Sequence, residues 1–152
     1  MQSDTENVGD QEALFRRVQQ IFDDATFIHH LGIELVAVGP GRCESQLSVS
    51  GSHLQQHGFV HAGVIATLAD HTAGGAARAA VAPEADVITI EFKINYLRPA
   101  KGNRLLSKGQ TLRSGSRIVV AESEVYSIED GREVLVAKYN STLAVIPFRA
   151  RT

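Results

Sequence analysis

Asp70 is the residue best placed to do chemistry, because it is the one carboxylate in a long run of small apolar residues, 60–80. The run is apolar nearly all the way round a helix, which is typical of a helix buried on most sides. A lone carboxylate there is costly unless it is paired, protonated or used in function. Asp70 is therefore a candidate general base or nucleophile. The alternative is a structural carboxylate bonded to the backbone or to Thr67.

The start of this helix, residues 61–64, is a second candidate for chemistry. N–H groups in the first turn of a helix have no intrahelical partner, and the helix dipole places positive charge at this end. Such a site can hold a carbonyl oxygen that becomes negative during a reaction. The alternative is a helix end capped only by solvent.

The spacing between the two candidates limits how they can cooperate. Ala62 and Asp70 are eight residues apart, which is about 12 Å along a helix. A carboxylate at that distance cannot easily act on a carbon held at the start of its own helix. Two copies with antiparallel helices side by side would bring each Asp70 to the other copy's helix start. Gly74 and Gly75 lower helix propensity and indicate a close approach by another backbone, which could be the partner helix.

Composition limits the classes of protein to consider. The 152 residues are 43% hydrophobic and carry a formal charge of -2, as in one ordinary domain. The basic residues are scattered, so nucleic-acid binding is not expected. The single Cys43 indicates a reducing compartment, and residues 1–10 lack the features of a signal peptide. Asp70, His71 and Arg78 argue against a membrane span in the apolar helix. We expect a cytoplasmic protein that binds neither membrane nor nucleic acid.

Periodicity predicts one domain over residues 11–148 after a disordered stretch, residues 1–10. Asp10 caps a first helix that ends near Asp24 and lies against the outside or edge of a sheet. A connector, residues 27–32, follows. The alternating segments that predict strands are 33–38, 42–50, 86–97, 104–113, 118–128 and 133–145. Short links between the last four predict an antiparallel meander, curved around the apolar helix.

Two stretches resemble a known family. His-Gly-Phe-Val-His-Ala-Gly at 57–63, followed by Leu-Ala-Asp at 68–70, and Ile-Asn-Tyr-Leu-Arg-Pro-Ala at 94–100 resemble the hotdog-fold acyl-CoA thioesterases, in particular the phenylacetate-pathway subfamily. The resemblance covers residues 31–145. It implies an α+β hotdog fold, a curved antiparallel sheet wrapped around a long central helix, here with an extra N-terminal helix. It also implies a homodimer with a shared active site, often paired into a homotetramer.

The resemblance implies hydrolysis of a coenzyme A thioester without a cofactor, coenzyme A being part of the substrate. Asp70 falls on the family's catalytic carboxylate. Gln55 falls on the amide that polarises the thioester or positions water, and Thr89 on the hydroxyl that helps orient the water. Ala62, followed by Gly63, falls where a backbone N–H faces the thioester oxygen. The family usually has glycine at Ala62, so a methyl group now limits how closely the acyl group can approach.

The histidines near the helix start have several possible roles. His57 and His61 could orient the loop, bond to Gln55 or transfer a proton. They do not combine with a cysteine or a second carboxylate at a metal-ligand spacing, so we expect no metal.

The phosphates of coenzyme A would need basic residues at the mouth of the pocket. Arg98, Lys101 and Arg117 lie in or beside turns and are the candidates. Each of them has the alternative of a solvated charge in a turn.

Two other functions stay open at this point. One is a hydratase or dehydratase of acyl thioesters on the same fold, although Gln55 with Thr89 fits hydrolysis better. The other is a non-catalytic acyl-CoA binding protein. An aromatic or medium-chain acyl group is our expectation, but the sequence does not choose between aromatic, medium-chain and longer groups, or between coenzyme A and a carrier protein as the thiol. It also does not choose between Asp70 as nucleophile and as base.

Overall fold

The computed structural model describes the backbone of residues 2–149 and the side chains of residues 8–149. The helices are α1 (Gln2–Asp23), α2 (Thr26–Leu31), a short 3-10 helix (Gly51–His53) and α3 (Ala62–Ala80). The strands are β1 (Ile33–Gly39), β2 (Arg42–Ser48), β3 (Ala85–Tyr96), β4 (Arg104–Ser114), β5 (Ile118–Glu129) and β6 (Arg132–Pro147). The predicted order of helix, two strands, long helix and four strands is confirmed.

The strands form one six-stranded sheet in the order β1-β2-β4-β5-β6-β3, and each neighbouring pair is antiparallel. The predicted four-strand meander is therefore wrong in one strand, because β3 pairs with β6 at the sheet edge and not with β4. Residues 97–103 carry the chain back over the end of the sheet. That crossing spans three strand spacings, about 14 Å, which seven extended residues can cover.

Small side chains let α3 lie close to the sheet. Ala69, Ala73 and Ala76 are fully buried, and the Ser123 hydroxyl on β5 donates to the Ala69 carbonyl at 2.9 Å. A polar side chain can face the helix here because a helix carbonyl accepts its hydrogen bond. No helix in the described part of the chain is long and apolar enough to cross a membrane.

The close approach at Gly75 comes from side chains of the same chain. A Cβ at Gly75 would lie 2.6 Å from Cys43 Sγ and 3.4 Å from a Val18 methyl, whereas a Cβ at Gly74 would meet nothing within 4 Å. The prediction of an approaching backbone is thus wrong at Gly75, where β2 and α1 fill the space. Gly74 leaves one side of the helix open.

Helix α1 packs on β1 and α3, which confirms its predicted place at the sheet edge. Val18 and Phe22 are buried, and Gln11 Nε2 donates to the Val38 carbonyl at 2.7 Å. The helix begins at Gln2, two turns before the start predicted at Asp10, so Asp10 is not its N-cap. Met1 lies outside the described residues, and the predicted disorder of residues 1–10 stays a prediction.

Most of the predicted connector, residues 27–32, lies in helix α2, which begins one residue earlier, at Thr26. Sequence reasoning missed this helix because no side chain caps its start, so the usual polar signal was missing.

Candidate active site

A cavity of about 520 Å³ opens at the start of α3. The segment 97–103 closes one side of it, and the Val60 N–H donates to the Ala100 carbonyl at 3.1 Å. Its apolar lining is Phe59, Val60, Ile65, Leu97, Pro99 and Ala100. The polar groups at its wall come from Gln55, Gln56, His61, Tyr96 and Arg98. An apolar cavity with a few polar groups is typical of a small-molecule site.

One backbone donor in the first turn of α3 stays available. The N–H of Gly63 donates to His61 Nδ1 at 2.9 Å, and that of Val64 donates to the His61 carbonyl at 3.0 Å. The Ala62 N–H has no hydrogen-bond partner among the described residues. Ala62 lines the cavity, so its N–H is the donor that a bound carbonyl oxygen can reach.

His61 and Gln55 shape this end of the cavity. The His61 side chain caps the start of α3, because its Nδ1 accepts the hydrogen bond from the Gly63 N–H. Gln55 Oε1 accepts the backbone N–H of His57, which fixes the Gln55 side chain beside the cavity. Its amide NH₂ has no partner among the described side chains and can donate to a ligand. His57 thus contacts Gln55 through its backbone.

Asp70 lies outside the cavity lining and faces the sheet. Its Oδ1 accepts the Thr89 hydroxyl at 2.9 Å and the Tyr139 hydroxyl at 2.5 Å. Its Oδ2 has no partner among the described residues, and it is not one of the fully buried unpartnered atoms. The alternative bond to Thr67 is not made, because Thr67 Oγ1 donates to the Gly63 carbonyl at 2.8 Å.

A β-bulge lies beside Thr89. The β3–β6 register shifts between Thr89 and Glu91, so Ile90 is an extra residue on the edge strand. Bulges turn neighbouring side chains, and Thr89 faces Asp70 on the inner side of the sheet. The resemblance implied that the Thr89 hydroxyl helps to orient the attacking water. In the structure its hydroxyl contacts the carboxylate directly, with lone pairs left to accept from a water.

Tyr139 is the site residue that sequence analysis missed. Its side chain is fully buried on β6, and its ring stacks on Phe92 with centroids 5.1 Å apart. Burial, followed by the bond to Asp70, raises the pKa of the phenol, so it stays a donor. The signal was available in the sequence. Alternation in the last strand puts Tyr139 on the inward face with Ala137 and Leu143, and a buried tyrosine hydroxyl needs a partner.

His71, next to Asp70 in sequence, belongs to the packing of α1. Its ring meets the Phe22 ring edge-on with centroids 4.4 Å apart. Burial lowers the pKa of His71 to about 4, against the opposing effects of Asp70 and the Ile21 backbone. His71 is thus neutral at physiological pH.

The three candidate cations do not lie together in one chain. Arg98 lines the cavity and donates to the Leu135 carbonyl at 2.9 Å. The Lys101 ammonium lies 5.6 Å from the centre of the Phe59 ring. Arg117 is in the β4–β5 turn at the other end of the sheet, where the Ser114 hydroxyl reaches the last carbonyl of α3 at 3.4 Å.

The predicted site residues thus form two groups on α3. Gln55, His61, Ala62 and Gly63 surround the helix start, and Asp70 with Thr89 lies two turns further along. The described side chains, those of residues 8–149, include no group of three or more metal-ligating residues in binding geometry; the expectation that the protein needs no metal stays a prediction.

Comparisons with known proteins show the family and the fold of this chain. Residues 57–134, about half of the chain, match the Thioesterase superfamily. A 1,4-dihydroxy-2-naphthoyl-CoA hydrolase from Listeria monocytogenes is 30% identical, over 76% of this chain and 91% of that protein. A thioesterase family protein from Silicibacter pomeroyi is 32% identical, with a TM-score of 0.86 over 89% of this chain and 99% of that one. The E. coli PaaI protein, from the phenylacetic acid degradation operon, is 18% identical and shares the fold, with a TM-score of 0.80 over 90% and 95% of the chains.

The antiparallel sheet around α3, with a cavity at the helix start, defines a hotdog-fold protein. The chain belongs to the Thioesterase superfamily. The predicted fold and the resemblance to hotdog thioesterases are therefore confirmed.

Proposed function

We propose that this protein hydrolyses an acyl-CoA thioester to the free acid and coenzyme A. The observation that carries the proposal is the unpartnered Ala62 N–H on the wall of an apolar cavity of about 520 Å³. Such a volume fits an aromatic or medium-chain acyl group. A relative named 1,4-dihydroxy-2-naphthoyl-CoA hydrolase supports the aromatic choice.

In this proposal the Ala62 N–H and the Gln55 amide hold the thioester carbonyl oxygen as it becomes negative. Asp70 Oδ2 takes a proton from a water molecule, and the water oxygen attacks the carbonyl carbon. The carbon–sulfur bond breaks, the leaving thiolate takes the proton that Asp70 received from the water, and Asp70 is ionised again. In the alternative route Oδ2 attacks the carbon itself, and water then hydrolyses the anhydride. Both routes use only groups of the protein and water, so we propose no metal or other cofactor.

We propose that the site is shared between two copies of the chain. Ala62 and Asp70 are about 12 Å apart along α3, and an antiparallel partner helix would close that gap. The edge strand β3 supports this arrangement, because Ile90 is 57% exposed and Phe92 is 48% exposed beside unpaired backbone groups. A pair of such dimers would make the proposed homotetramer.

Coenzyme A binding is assigned to the basic residues at the cavity mouth. Arg98 and Lys101 lie at the same end of the sheet as the cavity, where they can meet phosphates. Arg117 would come from the second copy, because its own turn lies at the opposite end of the sheet. We propose the cytoplasm as the compartment, supported by a fold whose Cys43 is buried and free.

The first test is free-thiol release from a panel of aryl-CoA and straight-chain acyl-CoA substrates. Asp70→Asn is expected to lose turnover while keeping its fold, and Asp10→Asn, an exposed acid on α1, is the control. Hydration of an enoyl-CoA without thiol release would favour a hydratase. Binding without turnover would favour a binding protein.

A further inference from the structure

Tyr139 is a buried polar residue to which the proposed chemistry gives no role. We infer that Tyr139 is a positioning residue that holds the Asp70 carboxylate so that only Oδ2 faces the substrate. The inference rests on the proposed hydrolysis of a thioester. It adds a determinant of the reaction from β6, a strand that contributes no residue to the cavity wall.

The two oxygens of Asp70 have different surroundings. Oδ1 accepts two hydroxyl hydrogen bonds, from Thr89 on β3 and Tyr139 on β6. Oδ2 has no partner among the described residues. With both donors on one oxygen, the carboxylate cannot rotate about its last bond without breaking them. The unpartnered oxygen is then the one left to accept a proton or attack a carbon.

The Tyr139 ring is itself held in place. It is fully buried, and it stacks on Phe92 at an interplanar angle of 29°. Its burial and the neighbouring Asp70 raise the pKa of the phenol, so Tyr139 donates across the working pH range. A buried, stacked donor with a constant protonation state can fix a carboxylate.

Thr89 alone would hold Asp70 less firmly. Thr89 belongs to the edge strand, next to the bulge at Ile90, and its hydroxyl can rotate. Tyr139 lies on β6, which has a strand on each side. The inner strand therefore supplies the more rigid of the two contacts.

The test compares two tyrosine-to-phenylalanine variants. Tyr139→Phe removes the hydroxyl from Asp70 and keeps the ring. Tyr126→Phe is the matched control, because the Tyr126 hydroxyl donates at 2.5 Å to Glu124 and neither residue lines the cavity. For Tyr139→Phe we expect kcat to fall by about 10- to 100-fold, part of what positioned proton transfer supplies. KM should stay within about twofold of wild type, because Tyr139 does not line the cavity.

The pH profile separates positioning from packing. Loss of a donor to an ionised carboxylate favours its protonated form, so the acid limb of kcat/KM should move to higher pH. The other titratable groups near this contact are His71 and Glu91. His71 stays neutral, and the charge of Glu91 helps to raise the pKa of the Tyr139 phenol. Neither is changed by the substitution.

Each outcome counts for or against a definite statement. The inference is overturned if Tyr139→Phe has an unchanged kcat and pH profile. If the wild type is active and Asp70→Asn is inactive in the same assay, the proposed function still stands. A Tyr139→Phe that loses thermal stability but keeps kcat per folded molecule would also overturn it. A wild type that releases no thiol from any acyl-CoA would overturn the proposed function, and the inference with it.

Discussion

The Tyr96 hydroxyl donates to the Ala62 carbonyl at 2.9 Å, joining the last residue of β3 to the first residue of α3. The same strand also supplies Thr89, which donates to Asp70. One edge strand therefore contacts both halves of the candidate site. The positions of the Ala62 N–H and of the carboxylate depend on where β3 lies.

Tyr96→Phe is expected to loosen the first turn of α3 and lower kcat severalfold. The ring stays in the cavity wall, so the loss comes from the single hydrogen bond, worth about 1 kcal/mol. Burial raises the pKa of Tyr96, so the wild-type bond persists to alkaline pH. Thiol-release kinetics measure the effect against Tyr126→Phe. Equal kcat in the two variants would show that the Tyr96 bond does not position the site.

Mixing two inactive variants tests the shared site. In a dimer of Asp70→Asn with Gln55→Ala, one of the two sites keeps both native groups. We therefore expect about a quarter of the wild-type rate per chain after random exchange of subunits. The rate is measured after the two variants are mixed, partly unfolded and refolded together. A mixture as inactive as its parents would mean that each chain builds its own site.

Gly74 and Gly75 give a matched pair for stability. Gly75→Ala should destabilise the fold by about 1–3 kcal/mol despite its better helix propensity, because its Cβ would lie 2.6 Å from Cys43 Sγ. Gly74→Ala should stabilise by about 0.5–1 kcal/mol, since that side is open. Urea unfolding measures both. Adding Cys43→Ala to Gly75→Ala should recover part of the loss, and no recovery would refute the Cys43 contact as its cause.

His71 makes stability depend on pH. Its pKa is lowered from 6.5 to about 4 by burial, so the unfolded chain binds a proton more readily than the folded one. The stabilisation is complete above pH 6.5 and is lost as the pH falls towards 4, by up to about 3 kcal/mol. The free energy of unfolding of His71→Gln should be flatter over this range. His30→Gln, at an exposed position on α2, should follow the wild type.

Local signals in the sequence predicted the strands and most turns. Glu129 pairs with Arg132, so the loop is the two-residue Asp130-Gly131 turn that the sequence indicated. The neighbour of β3 was predicted wrongly, because a short link is compatible with a hairpin or with a crossing at the sheet end. Alternation along one strand does not identify its partner.

For the site, spacing along α3 was enough to separate Ala62 from Asp70. It could not show which strands touch Asp70, because Tyr139 is 69 residues further along the chain and only the sheet order brings it near. His61 was expected to orient the loop or move a proton. In the structure its side chain caps the start of α3. Histidine is not one of the usual N-cap residues, so its residue type did not indicate this contact.

The crossing segment 97–103 also determines which parts of this protein can change over evolutionary time. Its start, at Leu97, Arg98 and Pro99, lies on the cavity wall, and the Leu97 and Arg98 N–H groups donate to the Val136 carbonyl just beyond the last paired residue of β3. Its end is fixed, because any side chain at Gly102 would collide with the Ile128 carbonyl. We therefore expect insertions near Pro99 to enlarge the cavity without shifting the register of any strand pair. In descendants of this chain, substrate range can diversify there at little cost to folding.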